Sequence, residues 1–270
     1  MTQELRIRNY SERTVASYLV SISNLSKFYN KAPDRISKDE VKQYAYHLIH
    51  SRQVSVSTIN QLISAWKILQ VDVLGNQWEE FRLQRPKRER KIPHVLSQEE
   101  ASELIRVLKN LKHRMILTLA YVTGIRRAEL LNVKLKDIDS SRNVIRIIQG
   151  KGNKSREVPV PTKMIIYLRQ YYKLYRPKTY LFEGTNRGNP YSATSFYNIV
   201  KVAARKAGIK KEVYPHILRH SFATHMLEGG VNLKHLQMLL GHNAMRTTAI
   251  YLHLANPNLA DLPDLLSPQK

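Results

Sequence analysis

Four short runs in this 270-residue chain hold side chains suited to work on a phosphate. The first is TGIRRAEL at 123–130. Its Thr-Gly turn sets Arg126 at the mouth of a new helix, where free backbone N–H groups already favour an anion. Taken singly, such an arginine reads as well as a surface residue on a helix start. The second run, GKGNKSR at 150–156, carries a glycine-flanked Lys151 at a hairpin tip, a pattern shared with any basic turn. In the third, HILR at 216–219, His216 and Arg219 stand i, i+3 on one helix face. An imidazole and a guanidinium so placed can converge on one phosphate, although a lone helical histidine more often satisfies a core hydrogen bond. The fourth is LLGH at 239–242 followed by TTAIY at 247–251. His242 and Tyr251 are too far apart to share one helix face well, but a helix pair broken at Gly241 brings them together. Each of the fifteen tyrosines is in the first instance a packing residue.

These runs need a frame, and the periodicity predicts one that is mainly helical. In the first third, Ser11 caps a helix through Val15, Tyr18, Leu19, Ile22 and Leu25, an apolar i, i+3, i+4 stripe. Ser37 with Glu40 forms a capping box ahead of a helix over 41–49. A third helix is expected over 57–69, with Ile59, Leu62, Ile63 and Trp66 on one face, and a short fourth over 78–83. Further on, a capping box at Ser97 and Glu100 opens a helix to about residue 111, and another runs over 114–122. The one β-region is a hairpin: β-branched residues 144–148, a glycine-containing turn at 149–154, and a return over 156–160. Helices follow at about 161–175, 193–207, 216–228, 232–240 and 246–254, with Gly229, Gly230 and Gly241 punctuating the last three.

Residues 85–91, RPKRERK, carry five basic residues in seven and cannot pack into a core, so 85–96 is expected to be an exposed basic linker. It separates a domain at 1–84 from one at 97–270, the latter ending in a leucine-rich tail at 252–270. Forty-four Lys and Arg against twenty-one Asp and Glu give a formal charge of +23 and a pI near 10.2. The surplus is shared: +7 over 1–91 and +16 over 92–270. Such a balance favours a polyanion, because each cation docked on a phosphate releases condensed counterions. The absence of cysteine excludes thiolate metal sites, disulfides and cysteine nucleophiles. With no apolar leader core and no run of eighteen apolar residues, a soluble, non-secreted protein is expected.

In this order, T-G-x-R-x-x-E-L, G-K-G, H-x-L-R-H and L-G-H followed by T-T-x-x-Y resemble the tyrosine recombinase family, most of all its Xer branch and the simple integrases and transposases of mobile elements. The resemblance spans about 97–254. It implies a mainly α fold with a small β-hairpin or sheet, in two domains: an N-terminal four-helix, SAM-like core-binding domain and a C-terminal catalytic domain. It also implies roles. Arg126 and Arg219 would clamp the non-bridging oxygens of a scissile phosphate, and His216 and His242 would add hydrogen bonds, His216 being able to take the tyrosine proton as well. Lys151 would protonate the departing 5′ oxygen, Tyr251 would attack phosphorus, and Glu129 would orient the site. Arg127, where an apolar residue is common, leaves open which arginine is the clamp. Lys87, Arg88, Arg90, Lys91, Lys154 and Arg156 are candidate DNA contacts.

The chemistry agrees with the pattern. A phosphodiester is anionic and repels an attacking phenolate unless cations neutralise it. A phenol titrates near 10, and neighbouring cations lower the cost of ionising it. A phosphotyrosine conserves the energy of the broken strand, so rejoining needs no cofactor. No carboxylate cluster suited to Mg²⁺ is visible, and neither a metal nor a small-molecule substrate is expected. The expected function is site-specific recombination through a 3′-phosphotyrosine and a Holliday junction in the service of a mobile element; no arm-binding module is expected before Tyr10, and no insertion within 161–215. The partners implied are double-stranded DNA with paired sites and further copies of the chain, a tetramer on DNA with exchanged tails, in the cytoplasm and on the nucleoid. A Xer-like dimer resolvase, a relaxing enzyme like type IB topoisomerases and a catalytically silent regulator are the alternatives.

Overall fold

The computed structural model describes residues 1–78, 82–86, 93–148 and 155–255. The chain divides into two compact units, Met1–Lys91 and Ile92–Lys270. The expected fold class holds: helices dominate, and one small sheet lies in the second unit.

In the first unit, α1 (Thr2–Ile7) precedes α2 (Glu12–Tyr29), α3 (Lys38–His50) and α4 (Val56–Lys67). Ser11, Ser37 and Ser55 each accept a backbone N–H at a helix start, and Ser37 with Glu40 completes the capping box. Helix α1 lies outside the sequence expectation because six residues are too few to display a period. The end of α4 also differs: it widens into π-helical turns over Ile68–Val73. Ile68, Leu69 and Gln70 are all buried there. Ile68 joins Leu5 and Val15, whereas Leu69 joins the main cluster around Trp66, Ile63 and Leu25. Part of the expected short fourth helix, 79–81, lies outside the described residues, as do Lys87, Arg88, Arg90 and Lys91 of the linker. Arg85 is described, and it folds back on α4, donating to the backbone and side-chain oxygens of Asn60 and to Ser64 Oγ.

The second unit runs α5 (Gln98–Arg106), α6 (Leu111–Thr123), α7 (Arg127–Leu131), β1 (Ile138–Asp139), β2 (Val144–Ile147), β3 (Arg156–Pro159), α8 (Thr162–Tyr175), α9 (Ala193–Lys206), α10 (Pro215–Glu228), α11 (Leu233–Leu240), α12 (Met245–Ala249) and a final 3₁₀ turn, Ile250–His253. Helix α5 stops five residues short of expectation, because Asn110 restarts the chain as the cap of α6. The expected hairpin is antiparallel, with Ile145 opposite Val158 and Ile147 opposite Arg156; β1 adds a third strand at its edge. Ile145, Ile147 and Val158 point into the core while Arg146 and Glu157 pair outside, the period-2 pattern of a half-covered sheet. The turn at 149–154 lies outside the described residues.

Helix α10 is the axis of this unit. Ile217, Leu218, Arg219, Ser221, Phe222, Ala223 and Thr224 are all buried, so it has no single apolar face and must be enclosed. Its buried Ser221 donates to Ile217 O and accepts Leu96 N–H at 2.9 Å. A polar residue is thereby satisfied while the start of the unit is tied to its centre.

Candidate active site

The site forms around α10 where two glycine-ended chain reversals meet. Helix α6 ends at Gly124 in the left-handed region, φ +58°. A Cβ there would overlap the Phe222 ring, so the turn can press against α10 only as glycine. The reversal makes Arg126 the N-cap residue of α7, at the helix mouth as expected. Helix α11 ends at Gly241, φ +61°, and its last carbonyls turn toward the same place.

Three arginines converge on that helix end. Arg156 Nε donates to Leu239 O at 3.2 Å, Arg219 Nη2 to Leu240 O at 2.7 Å, and Arg126 Nη2 to Gly241 O at 2.6 Å. The last carbonyls of a helix lack intrahelical partners and carry the negative end of its dipole, so they suit cations. Arg219 Nη1 also donates to Gly124 O at 2.7 Å, which joins the two glycine turns through one buried guanidinium. Burial, then the nearby Arg126 charge, lowers the Arg219 pKa to about 10, so it stays a cation at neutral pH.

Glu129 balances the cluster. Its carboxylate receives Arg126 N–H and Arg126 Nη1 at 2.9 and 2.8 Å, and both Nη atoms of Arg156 at 3.0 and 2.8 Å. Burial alone would raise its pKa, but the hydrogen bonds from Arg156 and the Arg126 backbone prevail and hold it at about 2. Arg156 therefore departs from the expectation of a DNA contact: its guanidinium is largely buried and committed to Glu129. Strand β3 turns its side chain toward α11.

His242 and Tyr251 do come together across the Gly241 break. Their rings lie nearly parallel, interplanar angle 8°, with centroids 6.5 Å apart. The expected helix over 246–254 is α12 followed by a tighter 3₁₀ turn, and Tyr251 sits on that turn, only 2% exposed. His242 Nε2 lies 2.8 Å from Arg219 Nη2 and its Nδ1 lies 2.9 Å from Thr248 Oγ1. A guanidinium only donates, so Nε2 accepts and the ring proton rests on Nδ1. Burial first, then the Arg219 charge, takes the His242 pKa down to about 4, in keeping with that neutral tautomer.

The Tyr251 hydroxyl lies 3.0 Å from His220 Nδ1. Burial raises the phenol pKa, and the charge of Arg219 opposes it. Sequence reasoning alone gives His220 no role, although the H-x-L-R-H run contains it; the available signal was its i, i+4 spacing from His216. His216 lies on α10 as expected but is exposed, and it makes no side-chain hydrogen bond among the described residues. Surrounding protein, then Arg127, Arg219 and Arg126, lowers its pKa. Arg127 is half-buried and stays out of the hydrogen-bonded cluster. Lys151 and Lys154 lie outside the described residues. Among the described residues, no group of three or more His, Cys, Asp or Glu could hold a metal ion, and no helix is long and apolar enough to cross a membrane.

Residues 94–257 match the phage integrase family, and residues 1–80 match the phage integrase N-terminal SAM-like domain. A tyrosine recombinase of Thermosipho africanus is 33% identical over 267 residues, covering 94% of this chain and 93% of that protein. The tyrosine recombinase XerA of Pyrococcus furiosus is 34% identical over 262 residues, covering 95% and 89%. Among solved structures, a lambda integrase dimer bound to a COC′ core site superposes with a TM-score of 0.75 over 93% of this chain and 92% of that one. At 19% identity that likeness concerns the fold alone.

Proposed function

Because the chain belongs to the phage integrase family and is a tyrosine-type site-specific recombinase, we propose that Tyr251 attacks the scissile phosphate of DNA and holds the cut strand as a 3′-phosphotyrosine. The observation that carries this assignment is the convergence of Arg126, Arg219, His242 and Tyr251 on the end of α11. Arg126 and Arg219 neutralise the non-bridging oxygens, and His216 and His242 donate hydrogen bonds to the phosphate. Glu129 orients Arg126. Lys151 protonates the departing 5′ oxygen. An incoming phosphate offers Arg219 a better acceptor than the neutral imidazole of His242, freeing that ring to turn toward the phosphate.

Strand exchange then proceeds in pairs, through a Holliday junction, on two double-stranded sites bound by a tetramer. Lys87, Arg88, Arg90, Lys91 and Lys154 contact the DNA backbone. The tail at 252–270 docks on the neighbouring protomer; its 256–270 portion lies outside the described residues. Six leucines and a single basic residue, Lys270, make it a poor DNA ligand and a good filler for an apolar groove. The enzyme works in the cytoplasm, nucleoid-associated when bound to DNA. Its proposed use is integration, excision or transposition of a mobile element. Dimer resolution is the second reading, favoured by the 34% identity to the Pyrococcus furiosus XerA.

A two-site strand-exchange assay run beside a supercoil-relaxation assay tests the function. Recombinant product from paired sites supports it, whereas relaxation without exchange replaces it with a topoisomerase-like activity. Deleting 256–270 should leave single-site binding intact and abolish cooperative assembly; unchanged cooperativity would make the tail a local lid. Inverted repeats flanking the gene, or a neighbouring chromosomal recombination site, separate the two biological uses.

A further inference from the structure

We propose that Nδ1 of His220 accepts the Tyr251 proton during strand cleavage, and this rests on the assignment of Tyr251 as nucleophile. Three imidazoles lie near the phenol, and the geometry separates them. His242 has both ring nitrogens engaged, Nε2 by Arg219 and Nδ1 by Thr248 Oγ1, and its ring stacks over Tyr251 instead of pointing at the hydroxyl. His216, one turn earlier on α10, is exposed and makes no side-chain hydrogen bond among the described residues. Of the three imidazoles only His220 has a nitrogen within reach of the oxygen, Nδ1 at 3.0 Å. The Arg219 guanidinium also bonds the hydroxyl but has no lone pair with which to take a proton.

The surroundings suit a proton acceptor. The Tyr214 ring packs edge-on against His220, centroids 6.3 Å apart, and Tyr251 lies tilted on it at 5.7 Å, so the imidazole is held between two aromatic rings. The charged and titratable neighbours are His216 and Arg219 on its own helix, Tyr214 just before it, Tyr251 on the 3₁₀ turn, and His242 beyond. Burial, then His216 and Arg219, lowers the His220 pKa to about 4, which keeps the ring neutral and its lone pair available. When a scissile phosphate enters, its negative charge offsets Arg219 and makes His220 more basic at the moment a proton must be taken.

The step balances without a cofactor. The phenolic O–H bond breaks and its proton moves to His220 Nδ1 as the Oη–P bond forms. The P–O5′ bond breaks, its electron pair leaves on O5′, and that oxygen takes a proton from Lys151. On rejoining, the 5′-hydroxyl returns its proton to Lys151 and displaces tyrosine, whose oxygen recovers the proton from the imidazolium. His220 is therefore a catalytic residue paired with the nucleophile, while the adjacent Arg219 serves the phosphate.

The test uses the full chain and a nicked suicide substrate, with single-turnover formation of the covalent adduct as readout. His220→Asn puts an amide where Nδ1 stood, so a hydrogen bond to Tyr251 survives but proton transfer does not. We expect adduct formation to slow by about 100-fold, the lower range for a lost general base, with DNA affinity unchanged. Replacing the scissile 5′ oxygen by sulfur gives a leaving group that needs no proton. On that substrate His220→Asn should remain slow while Lys151→Ala recovers. His220→Asn within about threefold of wild type on both substrates would overturn the proposal, as would recovery of His220→Asn on the sulfur substrate. If the variant does not fold, wild-type protein carrying fluorotyrosine at 251 supplies a second readout. Its more acidic phenol should change the rate on the sulfur substrate but leave the acid limb of the rate–pH profile, which His220 sets, in place; a limb that moved with the acidity of the phenol would contradict proton acceptance by His220. Adduct formation by Tyr251→Phe would remove the underlying reading instead, whatever His220→Asn does.

Discussion

Arg126 and Arg219 end on adjacent carbonyls of one helix terminus, Gly241 O at 2.6 Å and Leu240 O at 2.7 Å. Two guanidinium groups so close repel one another, and the electronegative end of α11 offsets that repulsion without occupying all their donors. The C-terminal carbonyls of α11 thus set the spacing of the two guanidinium groups proposed as the phosphate clamp.

Gly241 should tolerate no side chain. Its left-handed φ disfavours a Cβ, and that Cβ would lie 2.8 Å from the Arg156 guanidinium, which Glu129 holds on both Nη atoms. Gly241→Ala should lower stability by about 1–2 kcal/mol, read by denaturant unfolding. Displacement of the clamp should slow adduct formation by roughly 100-fold. A variant equal to wild type in both would show that the turn does not position the arginines.

Glu129 makes an acid-sensitive contribution. Its folded pKa of about 2 lies below the ordinary 4.5, so the stability it provides is complete above pH 4.5 and is lost as pH falls through 2. Glu129→Gln should cost about 3 kcal/mol at pH 7, the scale of removing one partner of a buried pair. Unfolding measured from pH 7 to pH 2 should show wild type and variant converging. A constant gap across that range would mean the carboxylate charge is not what matters.

Much of this arrangement was legible in the sequence. Capping boxes at Ser37 and Ser97, the hairpin around Ile145 and Val158, and the glycine break at Gly241 are local signals, and each appears in the structure. What escaped was set by tertiary context. Arg156 reads as one more cation in a basic turn, and only the approach of α11 and α7 makes it Glu129's partner. His220 follows an arginine with a stronger motif signal, and its relation to Tyr251 depends on a 3₁₀ turn thirty-one residues later. The two-residue β1 and six-residue α1 are too short to show a period.

Arg126 and Arg127 should differ sharply. Arg126 is held by Glu129 and Gly241, whereas Arg127 stays outside that cluster. Arg126→Ala should cost at least about 3 kcal/mol in single-turnover cleavage, as for a lost oxyanion donor. Arg127→Ala should cost far less, and the opposite ranking would reverse the assignment.

The linker predicts a salt effect. Arg85 is bonded to Asn60 and Ser64 of α4, which leaves Lys87, Arg88, Arg90 and Lys91 as its candidates for phosphate contact, the first three of them chosen for substitution. Changing these three to Gln should weaken binding alike on all sequences. It should also flatten the dependence of log K on log salt by about 0.9 per lost contact. An unchanged slope, measured by fluorescence anisotropy, would make the run a solvated stretch.

The central claim is that Tyr251 is the nucleophile, and the most direct measurement is adduct formation by Tyr251→Phe on a nicked DNA site. The ring packs against Phe222, Ala223, Leu236 and Leu240, so phenylalanine keeps the fold and removes only the oxygen. Wild type should give an SDS-resistant protein–DNA band, and Tyr251→Phe should give none while binding the same DNA with similar affinity. An SDS-resistant adduct formed by Tyr251→Phe would contradict the account.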